Sequence, residues 1–161
     1  MSPCARIPNK KTKSFKSFIK SKYYCTKHTN YFKIYDDLFS PYQNKKVTFV
    51  DIGVFSGGSL FMWREFLGPK ARIIGVDLNP NARKWIDDGF EIFIGSQSDE
   101  LFWEGFIEKV SEIDVILSSL AERKGNAVIV CLGYSPEVVS TIIANNRRGT
   151  FNVMLCKPSQ E

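Results

Sequence analysis

A glycine-rich turn between two periodic segments is the stretch of this sequence best suited to chemistry. Residues 47–59 read VTFVDIGVFSGGS, an apolar run that ends at Asp51 and is followed by three glycines. Apolar residues then recur at helical spacing, at Leu60, Phe61, Trp63, Phe66 and Leu67. This order predicts a buried strand, a tight turn and a helix. Such a unit places free backbone N–H groups and the positive end of a helix dipole at the carboxyl edge of a sheet, where nucleotide-like ligands bind.

A second apolar run supports the same interpretation. Residues 72–76 read RIIGV and are followed directly by Asp77. In a nucleotide-binding βαβ unit, the acid that binds the ribose lies at about this distance along the chain after the glycine turn. A carboxylate there can accept hydrogen bonds from two ribose hydroxyls at once. The alternative is that the glycines serve packing alone and that Asp77 caps the next helix. These residues by themselves leave both interpretations open.

Four motifs in order resemble the class I S-adenosylmethionine-dependent methyltransferases, especially the branch with macrocin O-methyltransferase and cephalosporin-hydroxylase-like enzymes. They are VDIGVFSGGSLFMW, IIGVDLNP, FIGSQSD and EIDVIL, and the resemblance covers about residues 26–117. It implies S-adenosylmethionine as cofactor. The positions that it assigns to cofactor binding are Asp51, Gly53, Phe55, Gly57, Gly58, Ser59, Asp77, Ser96 and Gln97.

Each part of the cofactor has its own residues in this resemblance. Asp51, Gly53 and Gly57 are implied to form the loop facing its methionine part. Asp77 is implied to hold the ribose hydroxyls, and Ser96 with Gln97 to lie beside the adenine. The glycine spacing is wider than the dinucleotide fingerprint, which argues against a dehydrogenase domain that binds NAD.

Strands and helices alternate along the chain, which predicts an α/β fold. The expected form is Rossmann-like and doubly wound, with a mainly parallel sheet and helices on both faces, or a shortened version of it. The predicted helices are 26–39, 81–89, 99–111 and one that begins at Pro136 and is stopped by Gly149. Further strands are predicted at 90–94, 126–132 and 151–155. The segment 113–124 has two interpretations. Its first residues fit a strand, whereas the whole segment also fits one face of a helix, and the resemblance favours the strand.

Catalytic residues are not identified by the sequence. The related enzymes place acidic residues and a histidine after this fourth strand, whereas residues 118–122 here read SSLAE. His28, Asp36 and Asp37 are general-base candidates by residue type only. With His28 the single histidine and the four cysteines scattered, the sequence favours no metal site.

Basic residues are concentrated at the N-terminus. The net charge is +5, and every charged residue before Asp36 is a lysine or an arginine. We divide the chain into a basic arm, 1–25, and one domain, 26–161. Phe15, Phe18, Ile19 and Tyr23 lie at helical spacing within the arm, which is typical of a short basic amphipathic helix. The arm could bind nucleic acid, contact an anionic membrane surface, or pack its aromatic residues on the domain.

The C-terminal third has a different resemblance. Residues 126–158, and the run RGTFNV in particular, are similar to part of the apical domain of bacterial-type chaperonins, which implies a composite chain. The scattered cysteines and the lack of a long apolar run predict a soluble, cytoplasmic protein.

Two functions follow as expectations. The first is an S-adenosylmethionine-binding methyltransferase domain that methylates a small-molecule acceptor, with O-methylation favoured. The alternative is a catalytically inactive α/β module that contacts nucleic acid or a protein partner through its basic arm.

Overall fold

The computed structural model describes residues 11–27, 29, 31–110, 113–118, 126–131 and 152–156. Its α-helices are α1 Lys13–Lys20, α2 Tyr31–Phe39, α3 Gly58–Leu67 and α4 Glu100–Lys109, and 3₁₀ helices lie at Ser40–Tyr42 and Pro80–Ile86. Its strands are β1 Thr48–Ile52, β2 Arg72–Asp77, β3 Glu91–Ile94, β4 Val115–Ser118, β5 Asn126–Cys131 and β6 Asn152–Cys156.

The strands form one six-stranded sheet in the order β3-β2-β1-β4-β5-β6. Strands β1 to β4 run parallel, β5 is antiparallel to β4, and β6 is parallel to β5. Residues 119–125 alone join β4 to β5, and a crossover between parallel strands needs about a dozen residues or more. The short connection therefore explains why β5 reverses direction.

Neighbouring residues of the central strand face opposite layers of helices. Phe49 packs in the larger core cluster, with α2, α3 and the 3₁₀ helix Pro80–Ile86. Val50 and Ile52 pack in a second cluster, with Phe106 of α4. This alternation follows from the two-residue period of a strand. With helices on both faces of a mainly parallel sheet, the fold is the doubly wound, Rossmann-like α/β fold that the sequence predicts.

Helix α1 is held by a carboxylate from helix α2. The two oxygens of Asp36 accept hydrogen bonds from the backbone N–H groups of Lys13 and Ser14, at 2.7 and 2.8 Å. Thr12, at the N-cap position, supplies no side-chain capping hydrogen bond to this helix. The first N–H groups of a helix have no partner within the helix, so Asp36 satisfies them and complements the helix dipole.

Most of the predicted elements are found, and two helices differ from their predictions. The segment after Ile113 is a strand, β4, which confirms the prediction that the resemblance favoured. The predicted helix 26–39 begins only at Tyr31, and the predicted helix 81–89 is a 3₁₀ helix that starts at Pro80. The closing strands β5 and β6 are present, while the helix predicted between them lies outside the described residues.

An ion pair at the amino edge of the sheet gives a prediction about pH. Arg72 donates two hydrogen bonds to Glu91, from Nε at 2.7 Å and from Nη2 at 2.8 Å. The hydrogen bond from Arg72 lowers the pKa of Glu91 below its ordinary value. Both side chains are exposed, at 39% and 46%, so solvent screening keeps the contribution of the pair small.

We expect Glu91→Gln to lower the free energy of unfolding by less than about 1 kcal/mol at neutral pH. Because the folded state lowers this pKa, the pair stabilises the protein above the ordinary glutamate pKa of about 4.3, and the contribution is lost as pH falls through the lowered value. Urea unfolding of both proteins between pH 7 and pH 3 measures this. Glu108→Gln, at an exposed position of α4, is the charge-matched control. A difference between Glu91→Gln and wild type that stayed constant with pH would contradict the expectation.

Candidate functional site

A cleft of about 360 Å³ opens at the carboxyl edge of the sheet, above strands β1, β2 and β3. Its described lining consists of Ile52, Gly53, Phe55, Val76, Asp77, Leu78, Asn79, Gly95, Ser96, Gln97 and Ser98. The volume lies within the range of small-molecule sites, about 300–1,000 Å³. Ligands of open α/β sheets bind at this edge because the loops that follow the parallel strands meet there.

Asp77 lies in the middle of the cleft and is the single charged residue of its described lining. Its Oδ2 accepts a hydrogen bond from the backbone N–H of Phe55 at 2.8 Å. Its Oδ1 accepts one from the backbone N–H of Asn79, also at 2.8 Å. The carboxylate thereby joins the turn after β1 to the turn after β2. Each oxygen can accept a further hydrogen bond, so the group can also bind hydroxyls of a ligand.

The two sides of the cleft are backbone turns. On the β1 side, Gly53 has φ 93°, a conformation that favours glycine, and its N–H donates to the carbonyl of Val76 at 2.8 Å. On the β3 side, the Oγ of Ser96 accepts a hydrogen bond from the N–H of Ser98 at 3.2 Å. The indole N–H of Trp103 donates to the carbonyl of Gln97 at 3.0 Å, which fixes this turn against α4.

The structure brings five of the nine residues assigned to cofactor binding into this cleft. They are Gly53, Phe55, Asp77, Ser96 and Gln97. The other four lie outside its described lining. Asp51 is fully buried, and its Oδ2 accepts a hydrogen bond from the hydroxyl of Ser59 at 2.5 Å. This bond ties the end of β1 to the first turn of α3.

Gly57 and Gly58 are needed for packing. A Cβ on Gly57 would overlap the indole ring of Trp85, and Gly57 has φ 81°. A Cβ on Gly58 would overlap the backbone carbonyls of Tyr23 and Tyr24. We call residues 21–27 the strap, because this segment crosses the N-terminus of α3. The packing interpretation of these glycines, left open by the sequence, therefore describes Gly57 and Gly58.

The described part of the basic arm lies against the domain. The rings of Phe15 and Phe18 each lie 5.2 Å from the ring of Phe32 on α2. The hydroxyl of Ser14 donates to the carbonyl of Phe32 at 2.8 Å, and Lys20 pairs with Glu65 of α3 at 2.6 Å. Phe15 and Phe18 thus pack on the domain, while Tyr24 of the same arm is exposed.

Six lining residues are not among the predicted site residues: Ile52, Val76, Leu78, Asn79, Gly95 and Ser98. Leu78 is 72% exposed, and it is the one large apolar residue in the polar turn Asp-Leu-Asn-Pro-Asn, which was a usable signal. Asn79 caps the 3₁₀ helix, since its Oδ1 accepts from the N–H of Asn81 at 3.0 Å. His28, the only histidine, lies outside the described residues.

The described ranges contain neither a cluster of metal-binding side chains nor a membrane-spanning helix. No group of three or more histidine, cysteine, aspartate or glutamate side chains is placed there to bind a metal ion. In the same part of the chain, every helix is too short or too polar to cross a bilayer.

Two solved structures are similar to this chain. One is the MycE methyltransferase from the mycinamycin biosynthetic pathway in complex with Mg, SAH and mycinamycin VI. Its TM-score is 0.47 and its sequence identity is 25%, and the match covers 71% of this chain and 27% of that one. The other is the same enzyme with Mg and SAH, with a TM-score of 0.45, 26% identity, and coverage of 68% and 26%. The chain thus spans about a quarter of the length of these enzymes. No protein-family model matches the sequence, and no protein of curated function does so either.

Proposed function

We propose that this chain binds S-adenosylmethionine and transfers its methyl group to the oxygen of a small-molecule acceptor. The observation that carries the proposal is the position of Asp77. This carboxylate lies at the end of β2, in one cleft with the glycine turn after β1 and with Ser96 and Gln97 after β3. The methyltransferase resemblance of the sequence assigns the cofactor to these same three places.

The residues of the cleft suit the three parts of this cofactor. Asp77 would accept hydrogen bonds from the ribose hydroxyls, since each of its oxygens accepts one backbone N–H and has capacity for another. The hydroxyl of Ser96 and the amide of Gln97 offer donors and acceptors to the adenine edge. Gly53 would let the methionine part approach the backbone without a side chain in the way.

The covered N-terminus of α3 discriminates between this cofactor and a dinucleotide. A dinucleotide places its pyrophosphate on the first N–H groups of the helix that follows the glycine turn. Here the backbone of Tyr23 and Tyr24 occupies that position, directly against Gly58. S-adenosylmethionine carries no phosphate and needs no access to this helix end. The strap therefore supports the phosphate-free S-adenosylmethionine over NAD.

When bound, S-adenosylmethionine would supply a methyl group on a positively charged sulfur: a new C–O bond would form from an electron pair of the acceptor oxygen, the C–S bond would break with its electron pair left on sulfur, and the hydroxyl proton would pass to bulk solvent. The protein's own tasks are to hold the two reactants in line and to exclude water. The cleft turns perform the first task. The apolar side chains of Phe55 and Leu78 at its rim would contribute to the second.

Calorimetric titration with S-adenosylhomocysteine tests the proposal, with NAD and ATP as controls. We expect selective binding with a dissociation constant of roughly micromolar order, equivalent to about 8 kcal/mol. Circular dichroism of the same sample must show that the protein is folded. Failure of the folded protein to bind S-adenosylhomocysteine, or equal affinity for NAD, would contradict the proposal.

A further inference from the structure

The strap is fastened to the glycine turn by specific contacts. The hydroxyl of Ser21 donates to the carbonyl of Gly58 at 2.8 Å. The hydroxyl of Ser56 donates to the carbonyl of Tyr24 at 2.7 Å. The ring of Tyr23 lies 4.5 Å from that of Trp85. These contacts fix the backbone of the strap, and with it the position of Tyr24.

Two large aromatic side chains are exposed where the strap meets the turn. Tyr24 is 69% exposed and Phe55 is 62% exposed. Their ring centroids lie 6.5 Å apart with an angle of 67° between the planes, so they form two walls of a corner. Phe55 also lines the cleft. Exposed aromatic residues that adjoin one another at the mouth of a cleft mark a binding surface.

The backbone of Phe55 indicates that this side chain is needed for something other than folding. Its φ is 50°, a left-handed conformation that is uncommon for residues other than glycine and asparagine. A glycine would adopt it without strain, and it would expose no ring to water. Strain of this kind is concentrated at functional sites, where a particular side chain must be presented.

The strand order gives the corner its place relative to the cofactor. Along the edge, the turn after β3 with Ser96 comes first, then Asp77 of β2, then the turn after β1 with Phe55. Under the proposed function, adenine lies at the β3 end and ribose at Asp77. Phe55 and Tyr24 then stand toward the end of the cleft from which the methyl group leaves.

We infer that Tyr24 and Phe55 form the acceptor subsite and that the acceptor is a planar aromatic compound with a hydroxyl group, a phenol. This inference rests on the proposed function and adds the class of acceptor. Two aromatic walls at a steep angle can stack on the face of a flat ring and contact its edge at the same time. A saturated ring has no flat π-face and gains neither contact in full.

A matched pair of probes tests the inference on protein saturated with S-adenosylhomocysteine. The probes are 2-naphthol and its saturated counterpart decahydro-2-naphthol, and binding is measured by saturation-transfer NMR and calorimetry. We expect 2-naphthol to bind roughly tenfold more tightly. The ratio of the two affinities should fall by a factor of roughly two to ten in Phe55→Gly and in Tyr24→Leu. The control Leu101→Ala, at an exposed apolar position of α4, should leave this ratio unchanged.

The unfolding midpoint of Phe55→Gly provides a second measurement. Because glycine relieves the left-handed strain, this variant should be at least as stable as the wild type while it loses the preference for the flat ring. If S-adenosylhomocysteine binds, two results would overturn the subsite inference alone. They are equal binding of the two probes by the wild-type protein, and a preference for 2-naphthol that survives both substitutions. Absence of S-adenosylhomocysteine binding to the wild-type protein overturns the proposed function and this inference together.

Discussion

Asp77→Ala should weaken the binding of S-adenosylhomocysteine by roughly 10- to 150-fold. This is the loss expected when a charged group that accepts hydrogen bonds from a ligand is removed, about 1.5–3 kcal/mol. The carboxylate is the one charged group in the described lining of the cleft, so no second acid there can replace it. Calorimetric titration of the variant beside the wild type measures the change.

The same substitution also removes acceptors from two backbone N–H groups, those of Phe55 and Asn79. Both turns could therefore loosen, and a loss of affinity could follow from either cause. Asp77→Asn separates them, because its amide oxygen keeps one backbone acceptor at a similar size while the charge is gone. We expect Asp77→Asn to bind S-adenosylhomocysteine weakly and to unfold closer to the wild-type midpoint than Asp77→Ala does.

A control for charge alone is Asp87→Ala. Asp87 is exposed in the turn that follows the 3₁₀ helix Pro80–Ile86, outside the described lining of the cleft. Its removal changes the net charge as Asp77→Ala does, and affinity should stay within about twofold because exposed charges contribute little at a distance. If Asp77→Asn bound as tightly as the wild type, the ribose role of this carboxylate would be wrong.

The sequence predicts the positions of Asp77 and Gly53 because their surroundings are local. Each follows an apolar run that must be a buried strand, and parallel strands bring their carboxyl ends to one edge. The strand order then sets the two side by side, as the register of Ile52 against Val76 confirms. Patterns of residues close together in the sequence were therefore sufficient to predict where Asp77 and Gly53 lie.

The roles of Gly57 and Gly58 depend on contacts between distant parts of the chain. Trp85 reaches Gly57 from the 3₁₀ helix after β2, and the strap reaches Gly58 from before β1. No spacing within the glycine turn reveals either neighbour. A glycine that admits a ligand and a glycine that admits another backbone are identical in sequence, so the turn alone cannot distinguish them.

The start of α2 shows a similar limit. The apolar residues at helical spacing begin at Tyr31, yet the predicted helix extends back over the polar residues 26–30. In the structure residues 21–27 form the strap, in which Tyr23 packs on Phe61 and Trp85 and the hydroxyl of Ser56 donates to the carbonyl of Tyr24. The observed start of α2 coincides with the first apolar residue of its buried face, and the polar residues before it gave no such signal.

Trp63→Ala should lower the free energy of unfolding by about 3–5 kcal/mol, a large share of the roughly 5–15 kcal/mol that stabilises a typical domain. Trp63 is fully buried, and its ring lies 5.0 Å from that of Tyr35, 5.4 Å from that of Phe39 and 4.7 Å from that of Phe49. It therefore joins α3 to α2 and to β1. Alanine would leave a cavity that these three elements could close only in part. Equilibrium unfolding in urea measures the loss.

Trp63→Phe sharpens this prediction. Within the described residues, the indole N–H of Trp63 is buried and has no hydrogen-bond partner, which costs stability in the wild type. Phenylalanine keeps an aromatic ring in the cluster and removes the unsatisfied donor, so the two effects oppose each other, and we expect a loss below about 1.5 kcal/mol. Leu101→Ala, at a position 77% exposed, should change stability by less than about 0.5 kcal/mol. If Trp63→Phe were as destabilising as Trp63→Ala, the N–H would have a partner after all, and the ring contacts alone would not explain the stability of this core.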